Sequence, residues 1–223
     1  MNVLHFVTDF FSDGANWHGS GGIPHRMLEH IQVCLIALGI SAAIALPIGL
    51  FTGHTGRGGY ILAAFSTAAR ALPSFGLLVL MTVWLHRIGT TPAMIPLVAL
   101  AVAPILVTTF EAIRSVDPAP VDAARGMGMH PMSVLFQVEL PVALPLIFSG
   151  LRSAAIQVVS TATIAAYVSV GGLGRYIIDG LAQHTYTKVV GGATLVAGLA
   201  LVTIALFWLV ERLVVSPGVR RSR

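Results

Sequence analysis

The sequence contains very little charge. Thirteen basic and nine acidic side chains make up 10% of its 223 residues, whereas soluble domains carry about 25% charged residues. Hydrophobic residues make up 56% of the chain, and the mean hydropathy is +0.86. A compact soluble domain could not bury so much apolar surface, because much of any folded surface must still face water. The composition therefore excludes an ordinary cytosolic enzyme, a disordered chain and a disulfide scaffold, and it predicts a polytopic helical membrane protein.

Cysteine is scarce, and no cleavable leader is expected. The single cysteine, Cys34, lies in an apolar run and cannot form an internal disulfide. Residues 1–11 have no basic start and are interrupted by Asp9, so we expect no cleaved signal peptide, and the first span should begin insertion itself. No basic run is interleaved with aromatics, so the net charge of +4 predicts no nucleic-acid partner.

The motifs of several chemistries are absent as well. The glycine-rich GHTGRGG at 53–59 lacks the Gly-Lys-Ser/Thr that would hold phosphates. The GGLG at 171–174 follows no predicted strand and is either a gate or a simple turn. The eight histidines form no metal-binding pair and are expected to be solvated loop residues. We therefore predict no catalytic residue, metal site or cofactor in this chain.

Apolar stretches of about 20 residues, long enough to cross a hydrocarbon core of about 30 Å, recur along the chain. Residues 60–69 are predicted as a bent entry to the second of them. The predicted transmembrane domain is 31–213, with spans at about 31–52, 67–86, 92–113, 146–168 and 189–210. We expect an irregular extracytoplasmic segment at 1–30, with the start of a helix at Arg26–His30, a polar loop at 171–188 and a basic cytoplasmic tail at 214–223.

The basic residues are distributed unequally between the two sides of these spans. An odd number of spans places the termini on opposite sides, and cytoplasmic loops carry the excess of Lys and Arg. One side holds Arg57, Arg114, Arg125, Arg152, Arg212, Arg220, Arg221 and Arg223, and the other holds Arg26, Arg87, Arg175 and Lys188. The C-terminus and the polar segment 115–141 are therefore predicted to be cytoplasmic, with the N-terminus outside.

The segment 115–141 is predicted to be a helix–turn–helix. Asp117 is a suitable N-cap before a proline at the first helical position. Gly128 fits a left-handed C-cap, and His130 precedes the proline that begins a second short helix. This second helix is expected to end before Leu140 and Pro141. Such a hairpin, with two alanines on a smooth surface, suits insertion into a groove on a soluble partner; the alternative is a merely interfacial hairpin.

The spacing in this segment resembles the EAA loop of importer-type ABC permeases. The family pattern is Glu-Ala-Ala, three residues, Gly, nine residues and Ile-x-Leu-Pro, and here aspartate replaces the glutamate and valine the isoleucine. The resemblance implies an all-α permease of the type I importer, methionine-permease-like fold with a coupling helix that docks on an ATPase subunit. The implied coupling residues are Asp122, Ala123, Ala124, Gly128, Leu140 and Pro141.

Further strings are similar to the osmoprotectant branch of these permeases, which imports glycine betaine, carnitine and choline. They lie at 13–26, 53–59, 70–74, 123–129 and 171–181. The resemblance implies two ATPase subunits that hold ATP and Mg, a second permease of the same or a different sequence, an extracytoplasmic binding protein and a bacterial cytoplasmic membrane location. A methionine-type importer, a membrane enzyme and a non-transporting anchor are the alternatives.

The predicted fourth span is unusually polar. Ser153, Gln157, Ser160 and Tyr167 follow at helical steps and share one face, which either lines a wet path or bonds to a neighbouring helix. The candidate pathway residues are Ser74, Gln157, Ser160, Thr161, Thr163 and Tyr167. Aromatic cages hold quaternary ammonium groups, but the few span aromatics show no clustering along the sequence. High-affinity capture is therefore expected on the separate binding protein.

Overall fold

Four long helices form the frame of the molecule. The computed structural model describes residues 3–71, 73–168 and 170–215. Helices α2 (Ile23–Thr55), α5 (Thr90–Arg114) and α10 (Tyr186–Val214) are each long and apolar enough to cross a membrane. The fourth is the continuous stretch Pro131–Val168, which contains α8 (Leu140–Ala165). The predicted all-α membrane fold is confirmed.

Small side chains let the central helices α2, α5 and α8 approach closely. Gly49 of α2 lies against Thr109, and Gly150 of α8 lies against Thr108, both of α5. Ala37, Ala45, Ala101, Ala154 and Ala162 are buried in the same core. Lipid does not drive apolar helices together, so close backbone packing supplies much of the association. The outer helix α10 leaves most of its apolar side chains exposed, as suits contact with lipid.

Because the interface at Gly150 has no room for a larger residue, we predict that Gly150→Ala destabilises the protein. An added Cβ would fall within the side chain of Thr108, and overpacking of this kind typically costs about 1–3 kcal/mol. Gly39→Ala is the matched control, because a Cβ at that α2 glycine meets nothing within 4 Å. Thermal unfolding of the detergent-solubilised chain should show a lower Tm for Gly150→Ala alone. An unchanged Tm would contradict this close approach.

The second predicted span differs from the structure. Instead of one helix over 67–86, two short helices occur, α3 (Gly59–Ala71) and α4 (Ser74–Leu85). Pro73 has extended backbone with ψ 117° and has no N–H to donate, so the helix cannot run through it. Buried Leu62 of α3 and Leu78 of α4 both lie against the bundle. At 13 and 12 residues, neither helix is long enough to cross alone.

The prediction that residues 1–30 are irregular was wrong for 3–17, whereas the helix expected to begin at Arg26–His30 is present within α2. Residues 3–30 contain α1 (Val3–Ser12), a 3₁₀ turn at Gly14–Trp17 and the first turns of α2. Phe10 anchors α1 because its ring is completely buried over Gly191 of α10. The centroids of the Phe10 and Tyr176 rings are 5.2 Å apart, and the rings meet edge to face. Asp13 caps the turn by accepting from the Ala15 N–H at 3.0 Å. The buried Phe10 ring therefore fixes this short apolar helix against Tyr176 and α10.

The predicted loop at 171–188 also contains a helix, α9 (Gly174–Ala182). It lies against α10, where Gly180 contacts Val189 and Tyr176 contacts Gly192. The glycines before it form a turn in which Gly172 takes φ +82°, a conformation that glycine adopts without strain. Residues 216–223 of the predicted tail lie outside the described residues.

The helix after His130 does not end at Leu140 and Pro141 as predicted. Helix α7 (Pro131–Val134) continues through a π turn at Leu135–Glu139 into α8. The Leu140 N–H donates to the carbonyl of Leu135, one residue further back than in an α-helix. This wider turn lets the helix accept Pro141, which has no N–H of its own, without a break. The predicted second helix and the fourth span are thus one rigid element of 38 residues.

Candidate functional site

The hairpin formed by α6 (Pro118–Gly126), α7 and the turn between them lies at one end of the bundle. Asp117 caps α6 by accepting from the Ala119 N–H at 2.9 Å. Gly128 takes φ +80°, and the N–H of Met129 donates back to the carbonyl of Ala124 at 3.2 Å. The predicted cap and the predicted left-handed glycine are both present. The hairpin therefore has a defined shape that the chain itself specifies.

The residues implied as the coupling surface occupy different environments. Asp122, Ala123 and Gly128 are exposed on the hairpin, beside Met127, whose side chain is 77% exposed. Ala124 is buried against Val134 and holds the two short helices together instead of forming part of a docking surface. Leu140 is half-buried and Pro141 exposed at the start of α8. The exposed set presents one small surface next to a large, flexible methionine.

A buried hydrogen bond between a histidine and a carboxylate joins this hairpin region to α2, and sequence reasoning missed it. Nδ1 of His54 lies 2.6 Å from Oε2 of Glu139, with the two side chains 8% and 6% exposed. An N–H there donates to the carboxylate, whose other oxygen lies 4.0 Å from Nη2 of Arg125 on α6. The three groups line a cavity of about 310 Å³ together with Arg114 and Asp122. The end of α2, the hairpin and the π turn are thus connected through one carboxylate.

The prediction that the histidines are solvated loop residues was wrong for two of them. His54 is buried in the last turn of α2 against Glu139. His30 is 2% exposed near the other end of α2, and its Nε2 lies 3.1 Å from the carbonyl of Val159, to which an N–H donates. Both side chains link α2 to the helix that contains α8. Helix α2 extends beyond the predicted span 31–52 at both ends. The two histidines therefore lie within the helix, although the sequence places them beside its apolar stretch.

At the end of the bundle opposite the hairpin, a carboxylate holds the start of α2 to the turn before α9. Oε2 of Glu29 accepts from the Gly172 N–H at 2.7 Å and from Nη1 of Arg26 at 2.8 Å. The Tyr176 hydroxyl donates to the carbonyl of Gly21 at 2.6 Å. Burial raises the pKa of this phenol, so it remains a neutral donor. These bonds fix the glycine turn against the main helical frame.

The polar side chains of α8 and of the 3₁₀ turn Ala166–Val168 lie on one open face. Ser153, Ser160 and Tyr167 are exposed, and Gln157 is half-buried. The opposite face of α8 is closed by Ala154, Ala155, Val158, Val159 and Ala162, all buried. Thr161 and Thr163 are half-buried beside the open face, and the Thr163 hydroxyl donates to the carbonyl of Ser160 at 2.6 Å. The predicted polar face therefore exists, and Ser153, Ser160 and Tyr167 remain exposed on it among the described residues.

Helix α4 meets the end of this polar face farthest from the hairpin. Ser74 and Thr161 line one narrow cavity between α4, α5 and α8. The rings of Phe75 and Tyr167 meet edge to face with centroids 5.3 Å apart. With Thr163 and two isoleucines of α9 they line a second cavity of about 280 Å³. The span aromatics show no clustering along the sequence, and the helix break at Pro73 nevertheless brings Phe75 to Tyr167.

Several apolar helices, one of them with an open polar face, and a helical hairpin at one end are the architecture of a membrane transport permease. The chain belongs to the family of binding-protein-dependent transport system inner membrane components, whose model matches residues 45–221. It is an integral membrane protein and the permease component of an ABC importer.

Relatives and solved structures agree with this assignment. The choline transport system permease protein OpuBB of Bacillus subtilis is 30% identical over 99% of both chains. The osmoprotectant import permease protein OsmW of Salmonella typhimurium is 31% identical over 99% of this chain and 100% of its own. An inward-facing structure of the MetNI methionine ABC transporter superposes with a TM-score of 0.74 at 23% identity, covering 87% of this chain and 96% of that one. The last similarity shows the fold alone.

Proposed function

We propose that this chain is the membrane subunit of an ATP-driven importer for compatible solutes of the glycine betaine, carnitine and choline type. The observation that carries the proposal is the uncharged polar face of α8, which is exposed although it lies within a membrane-crossing helix. Exposed polar groups at this depth need water or a partner. Uncharged groups let a zwitterion or a cation pass without trapping it. Relatives named for choline, carnitine and osmoprotectant transport support the substrate class.

Two such permeases, of identical or different sequence, would enclose the pathway between them. Two copies of an ATPase subunit would hold ATP and Mg and dock on the exposed surface of the hairpin at Asp122, Ala123 and Gly128. A binding protein would deliver the solute at the opposite, extracytoplasmic end. The excess of arginine on the hairpin side supports a cytoplasmic hairpin and C-terminus and an outside N-terminus, in a bacterial cytoplasmic membrane. Membrane lipid would cover the remaining apolar surface.

In this proposal the chain works by alternating access and performs no covalent chemistry. Closure of the ATPase dimer on ATP would move the hairpin and open the pathway outward, and hydrolysis would reset it. The continuous helix from Pro131 to Val168 supports this role, because a displacement at α7 is transmitted without a break to the polar face. The His54–Glu139 pair would carry the same displacement to α2.

We expect proteoliposomes that contain the permease, its ATPase and its binding protein to accumulate radiolabelled glycine betaine or choline only when ATP is present. Transport of methionine instead would contradict the substrate class and favour the alternative importer, which shares this fold. Hydrolytic or transferase activity of the chain without any ATPase would favour a membrane enzyme. Liposomes that carry an ATPase variant unable to hydrolyse ATP provide the control.

A further inference from the structure

We propose that Phe75 and Tyr167 form a transient binding site for the quaternary ammonium group of the transported solute. This inference rests on the proposed function and adds a site within the membrane domain. The two side chains remain 44% and 59% exposed although their rings contact each other. The described residues of this chain leave part of each ring uncovered. The pair therefore leaves ring surface available to a ligand.

The position of the pair places it on the expected route. Tyr167 continues the face of Ser153, Gln157 and Ser160 at its end farthest from the hairpin. Phe75 follows the break at Pro73 and approaches from α4. A solute delivered at the end opposite the hairpin would meet the aromatic pair before the hydroxyl and amide groups of α8.

The chemistry of the cavity selects a cation that is poor at hydrogen bonding. Phe75, Thr163, Ile164, Tyr167, Ile177 and Ile178 line its volume of about 280 Å³. Among the described residues this lining includes no charged side chain, so neither ion pairing nor charge repulsion dominates there. Ring faces carry partial negative charge and attract ammonium groups within about 6 Å, while methyl groups suit the isoleucine side chains. The volume lies just below the ~300–1,000 Å³ of sites for drug-sized ligands, as suits a small solute.

The charged side chains of α9, Arg175 and Asp179, pair with each other and do not line the aromatic cavity. Nη2 of Arg175 lies 2.8 Å from Oδ1 of Asp179 on the same helix, α9. Both line a different cavity that opens toward Asn16 and Lys188. The aromatic cavity therefore presents mainly ring faces and methyl groups. Attraction to these faces is weak enough for a transported solute to leave again.

The test lowers the electron density on the face of the Phe75 ring by fluorination and keeps the shape of the ring. Phe75 is exchanged for mono-, di- and trifluorophenylalanine in the complete transporter with its ATPase and binding protein. Uptake of radiolabelled choline and glycine betaine is measured in proteoliposomes, together with ATP hydrolysis. We expect catalytic efficiency of uptake to fall stepwise with each fluorine, by about 3- to 30-fold in total, while hydrolysis stays unchanged. Tyr167→Leu should lose uptake to a similar extent.

The same fluorinated residues at Phe51 are the matched control, because this exposed ring lies on α2 near the hairpin end. Unchanged uptake with trifluorophenylalanine at Phe75, or an equal loss at Phe51, would overturn the site while leaving the proposed function intact. If the unsubstituted transporter imports neither cation nor zwitterion, the proposed function fails, and this site fails with it.

Discussion

Replacing His54 with leucine should lower the free energy of unfolding by about 3–5 kcal/mol. The substitution removes the donor 2.6 Å from Glu139 and leaves a carboxylate that is only 6% exposed. Its remaining partner, Arg125, is 4.0 Å away and more than half exposed, so it compensates poorly. Thermal or denaturant unfolding of the purified chain in detergent should show the loss directly. His5→Leu is the control, because it removes an exposed histidine 2.7 Å from Asp9, and exposed pairs contribute only about 0–1 kcal/mol.

A double variant separates the stability of this pair from its role in transport. His54→Leu with Glu139→Met replaces both partners by apolar groups, and such replacements of buried pairs are often neutral or stabilising. We expect the double variant to regain most of the lost stability. Uptake should nevertheless remain impaired, because no polar contact then joins α2 to the π turn and to Arg125. A double variant as unstable as the single one would contradict the explanation that the lost stability comes from an unpaired, buried Glu139.

Sequence patterns predicted the local features of the molecule well. The long apolar stretches correspond to α2, α5, α8 and α10. The cap at Asp117 and the left-handed Gly128 were also predictable. Each of these features depends on residues within a few positions of one another, where helical periodicity and capping rules apply.

Features that depend on distant contacts could not be predicted. His54 and Glu139 are 85 residues apart, and neither position shows in the sequence that it faces the other. Phe75 meets Tyr167 only because the chain breaks at Pro73 and α4 takes its own direction. The order in residues 3–12 likewise depends on Phe10 entering a space left by a glycine of α10. Residue 191 is far from residue 10 in the chain, so the local sequence of 3–12 does not reveal such a space.

The π turn before α8 explains the wrong prediction at Pro141. Proline usually ends a helix at the preceding residue, and that rule placed the boundary at Leu140. The extra residue in the turn from Leu135 to Glu139 shifts the hydrogen-bond register by one position and directs Glu139 inward. Such turns are often found at functional sites. The same irregularity thus removes the predicted break and creates the buried carboxylate that contacts both α2 and α6.

Replacing Gly128 with valine should uncouple ATP hydrolysis from transport. Gly128 takes φ +80°, where a β-branched residue is strained by about 1–3 kcal/mol. The space around its Cβ is open, so the cost comes from the backbone and the turn between α6 and α7 must change to relieve it. That change would displace Asp122 and Ala123 relative to α7. The proposed docking surface would then no longer be held against the continuous helix Pro131–Val168, which is proposed to carry the motion of the hairpin to the polar face.

The measurement is the ratio of solute imported to ATP hydrolysed in proteoliposomes of the complete transporter. Gly128→Val should reduce uptake at least tenfold, on the order of the cost above, while ATP hydrolysis continues. Gly126→Val is the matched control, because this glycine ends α6 with a helical backbone and a Cβ there also meets nothing within 4 Å. Both variants add the same exposed apolar side chain two residues apart, so a difference between them isolates the backbone conformation. Normal uptake by Gly128→Val would show that the turn does not position a coupling surface, and would leave the hairpin as an interfacial element only.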